Sequence, residues 1–444
     1  MRVVATDASL VALVQRQGGS EYRWLNGLQE DPICRLFARY DAVSLGWHHD
    51  CGRRVLTTRP LSRGELVMSV PATAHVAFAA VATDRPVDAC LRDQFGLDAP
   101  TLALSLAALQ TENGLTLVRA LSAARDDSAA EELVASRLRS SRALPPSLAA
   151  LPDAELGRLV LRVKSNLHVS HDDQTASRAI GVGLYPAAAM LNHSCAPSVC
   201  FSWSGDGSTM HIRAMVDVAS GEELTCSYLT DEQLYAPWDE RRELLASAFQ
   251  FAPSEPSERK QAEAKAGMRG GEPVRAVLVE RTQSAIAAAR RAVGAEEDDA
   301  ESAERATERL VSLIETELRG SVPPFHTLVQ EAHVALLALA RSKLIDEPSL
   351  VAKAALHLIT AREALLPIGT PHLASLYATH GAALTRVMRE GSMTLSQEER
   401  AEVAKTAVRS LTASHAIRTS CLGEAHPLSA ATAATVQHAR QTLL

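Results

Sequence analysis

No stretch of this 444-residue chain approaches the roughly 20 uninterrupted apolar residues that a membrane span needs, so no membrane partner is expected. A basic surplus is missing too. The formal charge is -7 at pH 7, from 45 Lys and Arg against 52 Asp and Glu, which argues against a protein that coats a nucleic-acid duplex. Direct nucleic-acid binding is not expected. Cysteine is scarce: seven residues at 34, 51, 90, 195, 200, 226 and 421, an odd number without a C-x-x-C pair, fit free thiols in a reducing compartment better than a disulfide scaffold. The start, Met1-Arg2-Val3-Val4-Ala5-Thr6-Asp7, places an aspartate where the apolar region of a signal peptide would begin. No secretion signal is expected, and a cytoplasmic or nuclear location is.

Aromatics make up only 4% of the chain, yet eight of the seventeen fall between Tyr185 and Phe251: Tyr185, Phe201, Trp203, Tyr228, Tyr235, Trp238, Phe249 and Phe251. That window also carries the strand-like runs 198–203 and 210–216. Between them lies Ser204-Gly205-Asp206-Gly207-Ser208, whose Asp-Gly step suits a hairpin turn. A third short strand is read over 223–228, after the turn signal Ala219-Ser220-Gly221. Earlier, 54–58 and 65–70 read as strands separated by a turn at 59–64 and stopped by Pro71.

Between these two β-rich blocks the chain turns to Ala, Leu and Arg at helical spacing, as in Leu102, Leu104, Leu106 and Leu109, broken by Pro145-Pro146 and Pro152. The pattern predicts a helical insertion inside one β-rich domain. After Phe251, 252–260 reads as a loop or linker, with further solvated breaks at 267–273 and 296–301. The remainder is helical. A faint echo pairs Gly369-Thr370-Pro371-His372 with Gly423-Glu424-Ala425-His426 at an offset of 54, which fits antiparallel helix pairs of tetratricopeptide-like character as well as an irregular all-helical domain. The boundaries are 1–40, an amino-terminal helical segment; 41–80, the first part of the β-rich domain; and 81–165, the helical insertion. They continue with 166–251, the second part; 252–302, linker and helix; and 303–444, the helical carboxy-terminal domain.

Four segments stand out in order: Gly181-Val182-Gly183-Leu184-Tyr185-Pro186; Met190-Leu191-Asn192-His193-Ser194-Cys195-Ala196-Pro197; Gly221-Glu222-Glu223-Leu224-Thr225-Cys226-Ser227-Tyr228; and Glu240-Arg241-Arg242 through Phe249-Gln250-Phe251. Singly, each is an ordinary turn or half-buried strand. Together they resemble the catalytic half of a SET-domain protein lysine methyltransferase of the SET-and-MYND (SMYD) type. The block from Gly52-Arg53-Arg54 to Gly64-Glu65-Leu66 resembles the first part of that domain.

The resemblance implies an α+β fold: a SET-type β-rich domain with a pseudoknot, a helical insertion, and an all-α carboxy-terminal domain. It implies S-adenosylmethionine as cofactor and a protein substrate with an accessible lysine. Methyl transfer from a sulfonium to an amine is an in-line displacement, so positioning outweighs acid–base power. In the family pattern Tyr228 is the catalytic tyrosine at the mouth of a lysine channel, walled also by His168 and Ala189. Gly52, Arg53, Asn166, Asn192 and His193 would hold the cofactor, and Phe251 would stack on its purine. A monomer is expected, with the helical domain open to a protein partner.

The chain departs from the family pattern in several places. Residues 71–165 contain one cysteine, Cys90, and Ala252-Pro253-Ser254-Glu255-Pro256 stands where a cysteine cluster would follow Phe251. Zinc needs closely spaced Cys or His ligands, so no metal is expected and Cys195 should be a small buried thiol. The family's Gly-x-Gly is Gly52-Arg53-Arg54, which requires φ below zero at Arg54 or a changed loop. His168 replaces a channel aromatic, and Ser198 replaces an Asn. These changes leave open a second reading, a catalytically inactive SET-like interaction scaffold. A SET enzyme of the ribosomal or plastid type is the nearest enzymatic rival, disfavoured by the Ser-Cys-x-Pro continuation.

Overall fold

The computed structural model describes residues 23–24, 31–48, 52–81, 87–122, 127–141, 144–174, 178–249, 251, 257–268, 276–293, 299–390 and 395–443. The first seven residues, read for a secretion signal, lie outside them, as do most of the expected amino-terminal helical segment, residues 252–256 of the expected linker and parts of the two later breaks. The chain forms two compact units, one of Met1–Tyr228 with Leu244–Ala252, the other of Leu229–Glu243 with Pro253–Leu444.

The first unit is α+β, as the sequence predicts. Its strands are β1 Arg23–Trp24, β2 Val43–His48, β3 Gly52–Thr57, β4 Leu66–Pro71, β5 Ala74–Ala77, β6 Leu167–His171, β7 Ala179–Leu184, β8 Asn192–His193, β9 Val199–Trp203, β10 Thr209–Ala214 and β11 Glu223–Cys226. They form one sheet in the order β1-β2-β3-β11-β8 and two of three strands, β4-β10-β9 and β5-β7-β6. Alternation drives the pairing: Met210, Ile212 and Ala214 of β10 are buried while Thr209, His211 and Arg213 are half-exposed. The β9–β10 hairpin turns at Gly207, whose φ of 72° is open to glycine at little cost. Asp206 closes the turn by accepting the Ser208 N–H at 2.9 Å.

Between β5 and β6 the chain forms helices Ala89–Phe95, Ala99–Leu109, Glu112–Ala120, Ser128–Ser141, Pro146–Ala149 and Asp153–Asn166. Asp88, Asp98 and Thr111 cap three of them by accepting first-turn N–H groups. The helices Ser128–Ser141 and Asp153–Asn166 approach closely at Gly157, where a Cβ would fall 1.8 Å from the Glu131 carbonyl oxygen. Beside that crossing the buried Glu131 carboxylate takes both arms of Arg158 at 3.0 Å. Ile33, Leu45, Val55, Leu104, Leu159, Tyr185 and Ile212 belong to one continuous buried core shared by strands and insertion.

The second unit is helical, with helices Ala276–Val293, Ala300–Ser312, Thr327–Ala340, Pro348–Leu365, Pro371–Glu390, Gln397–Leu422 and Pro427–Leu443. The last five pack each on the next. Proline opens three of them, where its missing N–H has no intrahelical partner to lose.

Candidate active site

β8 runs parallel to β11, with Thr225 opposite Asn192 and Cys226 opposite His193. The Ser194 N–H donates to the Cys226 carbonyl at 2.9 Å. This pairing sets the Asn-His segment beside the strand that leads to Tyr228. β11 stops at Cys226, so Tyr228 lies just past the strand end instead of within the strand read over 223–228.

Tyr228 is held at two points by one short segment. Its backbone N–H donates to His193 Nδ1 at 2.9 Å, and its hydroxyl donates to the Leu191 carbonyl at 2.7 Å. Because Nδ1 accepts, the proton of neutral His193 sits on Nε2, which faces Cys195 Sγ at 3.4 Å. Cys195 is the buried thiol that the sequence leads one to expect. Among the described residues no group of three or more His, Cys, Asp or Glu is placed to hold a metal ion.

Aromatic rings surround the tyrosine. His193 lies 5.4 Å from it, Phe249 5.0 Å and Phe251 6.0 Å with its ring perpendicular. Phe251 also meets His193 at 6.1 Å. Burial raises the Tyr228 phenol above its usual range, with Cys226 and Glu223 pushing the same way. The phenol is therefore protonated throughout the neutral range.

Asn192 donates its side-chain amide to the Arg53 carbonyl at 2.9 Å and to Glu223 at 2.8 Å, which ties β8 to β3 and β11. Gly52 begins β3 at φ 74°, and a Cβ there would meet no atom within 4 Å. Arg53 turns its guanidinium inward, to the Ala120 carbonyl at 2.6 Å and to Asp31 at 3.7 Å. Asp346 is the one non-glycine residue with positive φ among those described. Arg54 thus occupies the expected second-glycine position on ordinary strand backbone, the first of the two outcomes the sequence left open.

The structure therefore gathers Gly52, Arg53, Asn192, His193, Tyr228 and Phe251. The remaining candidates have other bonding partners. Asn166 closes its helix, donating to the carbonyls of Ser122 and Arg162 at 2.7 and 2.8 Å. His168 sits edge-on to Tyr185 at 5.9 Å and Phe201 at 5.7 Å, its Nδ1 buried without a partner. Burial lowers its pKa to about 4. Ala189 lies in the single turn Ala188–Met190, and its N–H donates to the Tyr185 carbonyl at 3.0 Å. Among the described residues no hydrogen bond or ring contact joins Asn166, His168 or Ala189 to Tyr228.

Three contributors escaped sequence reasoning although they lie in the segments quoted: Phe249 on the Tyr228 ring, Glu223 under Asn192, and the Leu191 carbonyl. The aromatic-x-Phe step held the clue to Phe249. A backbone carbonyl leaves no sequence signal.

Residues 52–229 match the family described as SET domain. Histone-lysine N-methyltransferase SMYD3 of Homo sapiens is 39% identical over 72 residues, 16% of this chain and 16% of that protein. N-lysine methyltransferase SMYD2-B of Xenopus laevis is 28% identical over 100 residues, 22% of each chain. The aligned stretches thus span about a fifth or less of the curated relatives. The crystal structure of the SET domain of LSMT bound to lysine and AdoHcy covers 94% of this chain and 93% of its own at 12% identity, with a TM-score of 0.36.

Proposed function

We propose that this chain, which carries a SET domain over residues 52–229, is an S-adenosylmethionine-dependent protein-lysine N-methyltransferase with Tyr228 at the lysine channel. The relatives named as lysine methyltransferases support the reaction class. The observation that carries the site is the clamp of Tyr228 between Leu191 and His193, beside Asn192 and Phe251.

The residues fit the cofactor. Gly52 offers open space over its backbone, and Asn192, with its amide hydrogens spent, keeps Oδ1 as an acceptor for an ammonium or amine. Phe251 offers a ring to a purine. When bound, S-adenosylmethionine supplies a sulfonium-borne methyl group to an uncharged amine. The chain's own work is positional. Tyr228 donates its proton to Leu191, so its oxygen lone pairs remain to accept an N–H from the lysine amine. Its raised pKa keeps it neutral, and it takes no proton in the step. His193 fixes the backbone from which the phenol projects.

Radiolabelled methyl transfer to a protein mixture tests this reading. Tyr228→Phe should lower incorporation about a hundredfold, the usual cost of removing one oriented polar group. Equal labelling by wild type and variant removes Tyr228 from its role, and no labelling by wild type favours the scaffold reading.

A further inference from the structure

We propose that Arg54 and Glu223 are positioning residues that fix the side-chain amide of Asn192 so that only its oxygen faces the cofactor. The inference rests on the methyltransferase reading and extends it to two residues outside the recognised motif roles. Glu223 sits on β11 between β3 and β8. One carboxylate oxygen, Oε1, accepts from Asn192 Nδ2 at 2.8 Å; the other, Oε2, lies 3.1 Å from Arg54 Nη1.

Both acceptors around Nδ2, the Glu223 carboxylate and the Arg53 carbonyl at 2.9 Å, lack a hydrogen to give. The amide has no alternative orientation here, since a flipped Asn192 would point its oxygen at two oxygens. Arg54 matters through charge. Its guanidinium neutralises Glu223, a carboxylate whose side chain is only 19% exposed, and engages the oxygen that Asn192 does not use. Arginine at the family's second-glycine position thus has a physical role here: it completes an Arg54–Glu223–Asn192 relay across three adjacent strands. A ligand approaching Asn192 meets an acceptor, which selects an ammonium or amine donor over a carboxylate.

Calorimetry with S-adenosylhomocysteine on the full chain tests this, using wild type, Arg54→Ala, Asn192→Ala and the double variant. Arg54→Ala should weaken binding about tenfold in the wild-type background and have no effect once Asn192 is removed, the non-additivity expected of coupled groups. Arg54→Lys, which keeps the cation, should recover most of the affinity. Glu223→Gln should weaken binding like Arg54→Ala and raise KM for the methyl donor more than it lowers kcat. Additive losses, or no loss for Arg54→Ala with wild type binding normally, overturn the relay and leave the enzyme reading intact. Absence of binding by wild type overturns both.

Discussion

At Tyr228 a half-buried phenol gives its proton to a backbone carbonyl while the residue's own N–H is taken by an imidazole. A tyrosine so held cannot swing out to act as a base, and burial keeps its pKa above the usual range. The pH dependence of the proposed methyl transfer must then come from the substrate. Lysine at about 10.4 is charged near neutrality, so the methyl-transfer rate should rise steadily from pH 7 toward 9 without a bell-shaped fall from Tyr228. Initial rates across that window check this; a fall centred below pH 9 contradicts a neutral phenol. Asn192, His193 and Tyr228 were legible as neighbours because short ordered motifs announce them. Arg54 and Glu223 were not, because their contact depends on which strands become neighbours in a sheet, and neither residue carries that information locally.

Among the elements, β7 shows why some strands stay hidden in sequence. Its residues Ala179–Leu184 contain two glycines and little β-branching, a poor strand signal by propensity. The glycines are required by packing. A Cβ at Gly183 would fall 2.6 Å from the Tyr185 ring, and one at Gly181 2.4 Å from the Val76 carbonyl. Tyr185, fully buried, fills that space and donates its hydroxyl to the Gly207 carbonyl, joining β7 to the hairpin turn. Gly183→Ala should therefore displace Tyr185 and destabilise the fold by about 1–3 kcal/mol, the range for overpacking. Urea unfolding measures it, and an unchanged midpoint contradicts the packing. The β9–β10 hairpin, by contrast, was readable from Asp206-Gly207 because turn chemistry is local.

Over the whole molecule, both the α+β character of the first unit and the helicity of the second were legible from pattern and period. The echo at Gly369 and Gly423 marks a recurrent local device: Pro371 and Pro427 each open a helix shortly after it. Hidden from sequence was the chemistry inside the helical unit. His333 and His357 stack at 3.7 Å, and His357 Nε2 is buried without a partner. Burial, then the neighbouring His333, lowers His357 to about 4; burial, then Arg362, lowers His372 to about 4. Between their unfolded value near 6.5 and about 4 the folded state binds fewer protons than the unfolded. Their contribution is full above pH 6.5 and is lost as pH falls toward 4. The thermal midpoint should drop across that window, and His357→Gln should drop less steeply. Parallel curves for wild type and variant contradict the assignment.

The central claim is that segments from residue 52 to residue 251 meet around one donor-binding surface beside Tyr228. Crystallising the full chain with S-adenosylhomocysteine tests it most directly. The account predicts the ligand against Gly52, Asn192, His193 and Phe251, with Asn192 Oδ1 accepting a ligand N–H. A ligand bound away from those residues, or none at saturating concentration, contradicts it.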